Sequence, residues 1–396
     1  MAIFQAAQIL LPRTTAPEKW AVIACDQFAS EPAYWQHVRQ QVGNAPSTLH
    51  LIWPEAELQD DPQTRIAAIN AAMRQYLAND YFQKYDQCFI FVERVLSNGQ
   101  IRRGIVGMLD LESYDYAPDT QCPVRATEKT VVERIPPRVN IRKDAPLELP
   151  HVLLLCDDPT QSIFQSLDIQ SLPVVYDFEL MEGGGRITGR LIQGSHALAL
   201  QTAIAQYESR EKPVLYAVGD GNHSLAAAKA CYAQNPTPTS RYALVELENI
   251  HDPSQQFEPI HRIITDTDPA HMLSRLPQAE DGYPLRWVSG DQSGTVKLQL
   301  APGQLPVGAL QNFLDGYLSS HPGNIDYIHG EDSLLTLSRQ KNAIGFFLPS
   351  MEKSQLFPGI LADGVLPRKT FSMGHAREKR YYLEARLIRA IEGVSK

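Results

Sequence analysis

The sequence predicts an α/β protein with mixed sheets, and three observations carry that expectation. Short apolar runs of strand length recur along the chain, and each stops at a turn rich in Gly, Asp, Asn or Pro. Segments with apolar residues at helical spacing lie between several of them. An Asn98-Gly99 pair separates the apolar runs Cys88–Leu96 and Ile101–Leu111, which predicts a β-hairpin over 87–111. With 396 residues, 43% of them hydrophobic, the chain can bury a large core and is long for one domain. The expected division is an N-terminal α/β region over 1–145 with the hairpin, a central region over 146–266 and a C-terminal α/β region over 267–396.

In chain order, Trp20–Cys25 reads as a buried strand ending at Asp26. Ser30 is placed to cap the next helix, with Pro32 in its first turn and Tyr34, Trp35 and Val38 as its buried stripe. Asp61 before Pro62 starts a second helix, with Ile66, Ile69, Met73 and Tyr76 facing the core. The stretch from Val124 to Arg138 is charged, broken by Pro136-Pro137 and too polar for core, so it reads as a surface loop whose arginines suit an anionic ligand. Strands follow at His151–Cys156 and Val174–Leu180, then a helix at Ala197–Glu208. Gly184–Leu191 spaces its glycines like a phosphate-binding P-loop, but Arg190 and Leu191 stand where Lys and Ser/Thr are required, so that reading is rejected. Beyond Tyr242–Ile250, a strand ending at His251-Asp252-Pro253, come strands at Thr295–Leu300 and Ala343–Leu348 and a helix at Val307–Leu318. The chain closes with a basic loop holding Arg368 and Lys369, and with an amphipathic helix from about Ala376 that uses Tyr382, Leu383, Leu387 and Ile388.

The chemistry concentrates in Pro213–Cys231. An apolar run, Val214–Val218, stops at Gly219-Asp220-Gly221-Asn222-His223, and an alanine-rich helix begins at once. Two glycines allow a sharp turn and close approach of a ligand, and Asn222, His223 and Ser224 supply the first free N–H groups of a helix. Such a start attracts phosphate, and Asp220 beside it is suited to a metal ion that the phosphate also contacts. The plainer alternative is that Asp220 only caps the helix and His223 is a satisfied surface histidine. Asp252, His261 and Arg262 are the residues best suited to meet Asp220 from elsewhere in the chain.

Composition excludes other classes. A net charge of −9 gives no footprint for a nucleic-acid backbone, so no nucleic-acid partner is expected. Five cysteines, widely spaced and without a C-x-x-C pair, suggest neither disulfides nor a zinc knuckle and fit a reducing compartment. No leader and no spanning segment is apparent, so the expectation is a cytoplasmic protein that does not engage membranes. Homo-oligomer formation is left open.

The blocks WAVIACDQFASEPAYW, ERIPPRVNIR, HVLLLCDDP, VGDGNHSLAAAK, IHDP, DYIHG and LPRKTFSMGHAREKRYYLEARLI resemble the prokaryotic family termed domain of unknown function 1015, over nearly the whole chain. More distantly, Asp220, Gly221, Asn222, His223 and Ser224 resemble the D-G-x-H-R motif of the ParB and sulfiredoxin-like superfamily. Its members bind nucleotides and include a free-serine kinase and CTP-hydrolysing ParB proteins. Asn222 stands where the kinase has its first histidine, and Ser224 where the superfamily has a phosphate-binding arginine. Arg125, Arg262 or Lys369 would have to supply that charge. The block Arg125–Thr130 is similar to the family's R-x-H-E-x-T, with Thr127 in place of histidine.

The resemblance implies a Mg²⁺-dependent, nucleotide-using phosphotransferase or phosphohydrolase acting on a small metabolite. Gly219, Gly221, Asn222 and Ser224 would cradle the phosphates of a nucleoside triphosphate or diphosphate, with Arg125, Arg262, Arg368 and Lys369 supplying positive charge. Asp220, helped by Asp252, would hold Mg²⁺, Glu128 would orient or deprotonate the acceptor, and His223 would donate to a phosphate oxygen. A second class is a non-catalytic nucleotide or metabolite sensor using the same turn without Glu128 or a metal. A third is an NAD(P)-binding oxidoreductase, on Gly219-x-Gly221 after a strand with Glu246 further on. The sequence does not decide between enzyme and binding protein.

Overall fold

Alternate residues of the apolar run Cys88–Val92 enter two different cores. Cys88, Ile90 and Val92 pack with Trp20, Trp35 and Met73, whereas Phe89 and Phe91 pack with Phe4, Leu200 and Tyr216. A strand with a side-chain period of two does this only when its sheet is covered on both faces. The computed structural model describes residues 2–58 and 61–389. It divides into two compact units, Met1–Ala126 with Thr130–Gln255 and His375–Lys396, and Thr127–Lys129 with Gln256–Gly374.

The first unit contains β1 (Phe4–Gln5), β2 (Ala7–Pro12), β3 (Val22–Ile23), β4 (Phe82–Val95), β5 (Ile101–Asp110), β6 (Tyr114–Asp115) and β7 (Val124–Ala126). It continues with β8 (Leu147–Glu148), β9 (Leu153–Cys156), β10 (Val174–Leu180), β11 (Gly185–Ile192), β12 (Tyr216–Asp220) and β13 (Tyr242–Asn249). Eleven of these strands form one mixed sheet in the order β10-β11-β4-β5-β13-β9-β12-β7-β6, with β1 on β5 and β2 on β4. The hairpin is β4–β5, antiparallel from Ile90↔Val106 to Val95↔Ile101. At the other end of the order, β12 runs parallel to β7 and antiparallel to β9.

The second unit is built on β14 (Phe257–Thr265), β15 (Gln278–Ser289), β16 (Gln292–Leu298), β17 (Asn324–His329), β18 (Ile344–Phe347) and β19 (Phe371–Met373). These six strands pair antiparallel in the order β16-β15-β18-β14-β17, with β19 on β14. Ile263, Val288, Leu334, Ala343 and Phe347 fill its core.

Three local expectations need correction. Up to Arg389 the segment from about Ala376 is not a long helix: after a 3-10 turn at Ala376–Glu378, β20 (Tyr381–Tyr382) pairs with β3, and β21 (Arg386–Leu387) pairs with β8, while the rest of the expected helix, 390–396, lies outside the described residues. Its alternating charges, which suggested a solvated helix face, are buried in ion pairs: Arg380 with Glu246 and Glu384 at 2.7 Å each, and Arg386 with Glu148 at 2.6 Å. The charged stretch after Val124 is a surface segment only in part: Val132–Arg134, Pro136 and Pro137 are exposed. Val124–Ala126 is a buried strand, and Pro136-Pro137 lies in the first turn of a helix, Ile135–Arg142, where proline costs no hydrogen bond. The helix Pro32–Val42 starts at Glu31 with no side-chain cap, so Ser30 does not cap it. Asp61 does cap the helix Pro62–Ala78, accepting from the Thr64 N–H at 3.0 Å. Among the described residues no helix is long and apolar enough to cross a membrane.

Candidate functional site

The pairing of β12 with β9 slips between Val218 and Asp220, at Gly219. A slip of this kind re-aims the side chains that follow it. Gly221 then takes φ +80°, and a Cβ on it would lie 2.9 Å from the Val152 Cα and 3.3 Å from the His151 Cδ2. Backbone conformation and close approach therefore both demand glycine. The chain passes directly into the helix Asn222–Gln234, whose start carries no side-chain cap.

Asp220 is thus not the helix cap. Its Oδ1 accepts from the Gly221 N–H at 2.9 Å, and its Oδ2 faces the Lys379 ammonium at 3.3 Å. The Asn222 Oδ1 is buried with no hydrogen-bond partner among the described residues. The His223 Nε2 accepts from the Val131 N–H at 3.1 Å, so this nitrogen carries no proton. One residue on, the Ser224 Oγ lies 3.2 Å from the His151 Nε2.

Beneath the turn, the His151 Nδ1 meets the Tyr382 hydroxyl at 2.9 Å. That hydroxyl donates to the Cys25 Sγ at 3.1 Å and accepts from the Cys25 N–H at 3.3 Å. Burial, reinforced by the charge of Asp26, pushes the Cys25 thiol up to about 12, so the thiol stays protonated and inert. Burial also works to raise the Asp26 carboxyl, but His151, a hydrogen bond from Gln27 and the charges of Lys379 and Arg138 together hold it below the usual carboxylate range. Cys25, Arg138, His151, Ser224 and Tyr382 are among the residues that line a cavity of about 150 Å³, most of whose other lining residues are apolar.

The remaining sequence-selected residues have the following surroundings. Arg125 is on β7, opposite Ala217 of β12, and is buried, with its Nε donating to the Cys122 carbonyl at 2.9 Å. Asp252 follows β13 and spends its Oδ1 on the Ser254 N–H and hydroxyl at 2.9 and 2.6 Å. Glu128, Arg262, Arg368 and Lys369 belong to the second unit, where they form a group of their own. The Arg262 guanidinium is fully buried and holds the Gln311 side chain and the carbonyls of Ile260, Arg368 and Lys369, with the Tyr327 ring against it at 4.6 Å. The Glu128 Oε1 accepts from the Thr370 N–H at 3.2 Å. His261 accepts from the Leu348 N–H.

Sequence reading did not select Cys25, Arg138, His151, Lys379 or Tyr382 as neighbours of the turn. The only signal for this corner was Asp26, an acid at a strand end. Lys379 and Tyr382 were hidden because their segment reads as a helix, and His151 because it sits in an apolar run.

A family profile described as "Protein of unknown function (DUF1015)" matches residues 10–383. No curated protein sequence matches the chain significantly. Among solved structures, free serine kinase in complex with AMP is similar with a TM-score of 0.40 at 9% identity, over 70% of this chain and 90% of that one. A mutant of free serine kinase in complex with ADP gives 0.41 at 8% identity, over 70% and 91%. SbnI with C-terminal truncation from Staphylococcus aureus gives 0.38 at 11%, over 68% and 83%.

Proposed function

We propose that this chain, which belongs to the DUF1015 family, binds a nucleotide through its phosphates at the β12 turn and uses it in Mg²⁺-dependent phosphoryl transfer to a small metabolite or to water. The observation that carries this reading is the uncapped start of the helix Asn222–Gln234, entered from a left-handed glycine and accompanied by the Lys379 ammonium. An uncapped helix start leaves N–H donors and a partial positive charge for an anion. Asn222 adds a buried acceptor that has no partner among the described residues, suited to a hydroxyl or amino group of the ligand.

The residues fit Mg²⁺ in a limited way. This ion is commonly held by one or two carboxylates, with phosphate oxygens and water completing its shell, so Asp220 can serve as the protein ligand. When bound, the ion would neutralise charge on the phosphates. Lys379 and the helix start would orient the anion. Glu128 carries the base role that the family resemblance implies, and His223 the contact to phosphate.

A second reading is supported by the Asp220–Lys379 pair, since a carboxylate already facing an ammonium suits anion binding without a metal. In that case the protein is a nucleotide or metabolite sensor. Calorimetric titration with ATP, ADP, CTP and GTP, with Mg²⁺ and with EDTA, separates the two. Under the enzyme reading, binding and turnover need Mg²⁺, Asp220→Asn abolishes metal-dependent turnover with the melting curve unchanged, and Glu128→Gln loses turnover while keeping affinity. Binding indifferent to EDTA and to Glu128→Gln favours the sensor. No binding of any nucleotide would refute the enzyme reading and leave a sensor of a smaller metabolite.

A further inference from the structure

The contacts of the Tyr382 hydroxyl favour one tautomer of the neutral His151 ring. The Tyr382 hydroxyl gives its single proton to the Cys25 Sγ and accepts from the Cys25 N–H, so toward His151 it offers a lone pair. In the neutral ring the Nδ1 of His151 then carries the proton and donates it to Tyr382 at 2.9 Å. The Nε2 is left as a base, and what it faces at 3.2 Å is the Ser224 hydroxyl. This is the relation of nucleophile, base and orienting group that activates serine, assembled from residues 25, 151, 224 and 382.

Both Ser224 and His151 line the cavity of about 150 Å³, and most of its other lining residues, among them Ile52, Met73, Ile141 and Leu149, are apolar, with Arg138, Arg142 and Glu148 as the charged exceptions. A space of that size holds roughly a benzene-sized group. We infer that Ser224 is a nucleophile with His151 as its base, and that the cavity takes the short apolar acyl group of an ester substrate. The inference goes beyond the nucleotide reading and does not depend on it.

In the first step the Ser224 Oγ attacks the ester carbonyl carbon, forming an Oγ–C bond while its proton passes to the His151 Nε2. The C–O bond to the alcohol then breaks, and the alcohol leaves with the proton from Nε2. Water attacks the acylated Ser224 and gives a proton to Nε2, the acid departs, and that proton returns to the Oγ. Ser224 is the third residue of its helix, where the helix's partial positive charge favours the negative oxygen formed on attack. Tyr382 is a positioning residue that fixes the tautomer of His151.

The test uses the whole protein with a fluorophosphonate probe and with p-nitrophenyl esters of two to ten carbons. Expected results are probe mass on the peptide containing Ser224, hydrolysis that falls off beyond about six carbons, and loss of both in Ser224→Ala. His151→Gln should lower kcat by at least about 100-fold, and Tyr382→Phe should lower kcat with KM little changed. Probe absent from Ser224 in the wild-type protein, whatever the variants do, would overturn the inference. Equal hydrolysis by Ser224→Ala with an unchanged melting curve would do the same.

Discussion

Replacing Gly221 by alanine isolates what the β12 turn demands of its backbone. Two glycines of the first unit share φ +80°: Gly221, and Gly99 in the hairpin turn. A Cβ on Gly99 would meet nothing within 4 Å, whereas on Gly221 it would lie 2.9 Å from the Val152 Cα. Gly99→Ala therefore costs only the left-handed backbone term, about 1–2 kcal/mol. Gly221→Ala carries the same term plus overpacking against backbone that cannot rotate away, worth a further ~1–3 kcal/mol. The predicted loss for Gly221→Ala is thus about 2–5 kcal/mol, and the difference between the two variants measures the contact with Val152. Equilibrium urea unfolding followed by tryptophan fluorescence is a suitable assay, because Trp20, Trp35 and Trp53 lie in the first unit and only Trp287 in the second. Equal destabilisation of the two variants would refute the close approach of the turn to His151 and Val152.

Three further outcomes can be measured on the same protein. Burial raises the Glu248 carboxyl to about 7 from an ordinary 4.5, with Arg102 opposing and Glu246 reinforcing the rise. A group raised in the folded state contributes stability that is complete below pH 4.5 and is lost as pH climbs through 7, so unfolding free energy should fall by up to about 1.4 kcal/mol per pH unit in that window. Glu248→Gln should flatten the profile, and an unchanged slope in urea titrations at pH 6 and 8 would count against it. Arg380→Met would strand the buried carboxylates of Glu246 and Glu384 and cost about 3–5 kcal/mol. By contrast, Arg186→Met, which breaks an exposed pair with Asp177, should leave the urea midpoint almost unmoved. Iodoacetamide at pH 8 should react slowly with Cys25 in the native protein and readily after unfolding, and rapid native labelling would contradict its protonated, half-buried state.

Period and turn chemistry made the hairpin β4–β5 and the strand-turn-helix at Gly219–Ser224 legible, because the signals for both are local. Asn98-Gly99 specifies a tight turn, and a Gly-Asp-Gly ahead of an alanine-rich run specifies a strand end and a helix start. The C-terminal segment was not legible for the opposite reason. Arg380, Glu384 and Arg386 alternate with apolar residues as on a solvated helix, and only their partners Glu246 and Glu148, more than 130 residues away, make an extended buried segment the better solution. Arg125 and Arg262 follow the same logic. A buried arginine that spends its donors on carbonyls looks in sequence like an anion ligand, since both uses need the same five-donor fork. Of the turn's surroundings, only the pairing of β20 with β3 brings Cys25 and Asp26 together with Lys379 and Tyr382, and no local pattern encodes that pairing.

Lys379 decides between the two readings of the turn, because it does different work in each. As an anion contact it raises affinity for phosphate, and as the partner of Asp220 it competes with any cation for the Oδ2 it faces at 3.3 Å. Lys379→Met should therefore move two affinities in opposite directions. Without metal, a nucleotide loses one charge contact at a half-buried site, worth about 1 kcal/mol, or roughly a fivefold weaker Kd. With Mg²⁺, the freed carboxylate gains its ion and recovers that loss or exceeds it. Calorimetric titrations of the variant in EDTA and in Mg²⁺ read both quantities, and Asp220→Asn serves as the control in which the metal effect disappears. Weaker binding under both conditions by the same factor would mean that Lys379 touches only the anion and that Asp220 holds no metal. Unchanged binding under both would remove the turn from nucleotide recognition altogether, because no ligand phosphate at the start of this helix could be indifferent to the ammonium beside it.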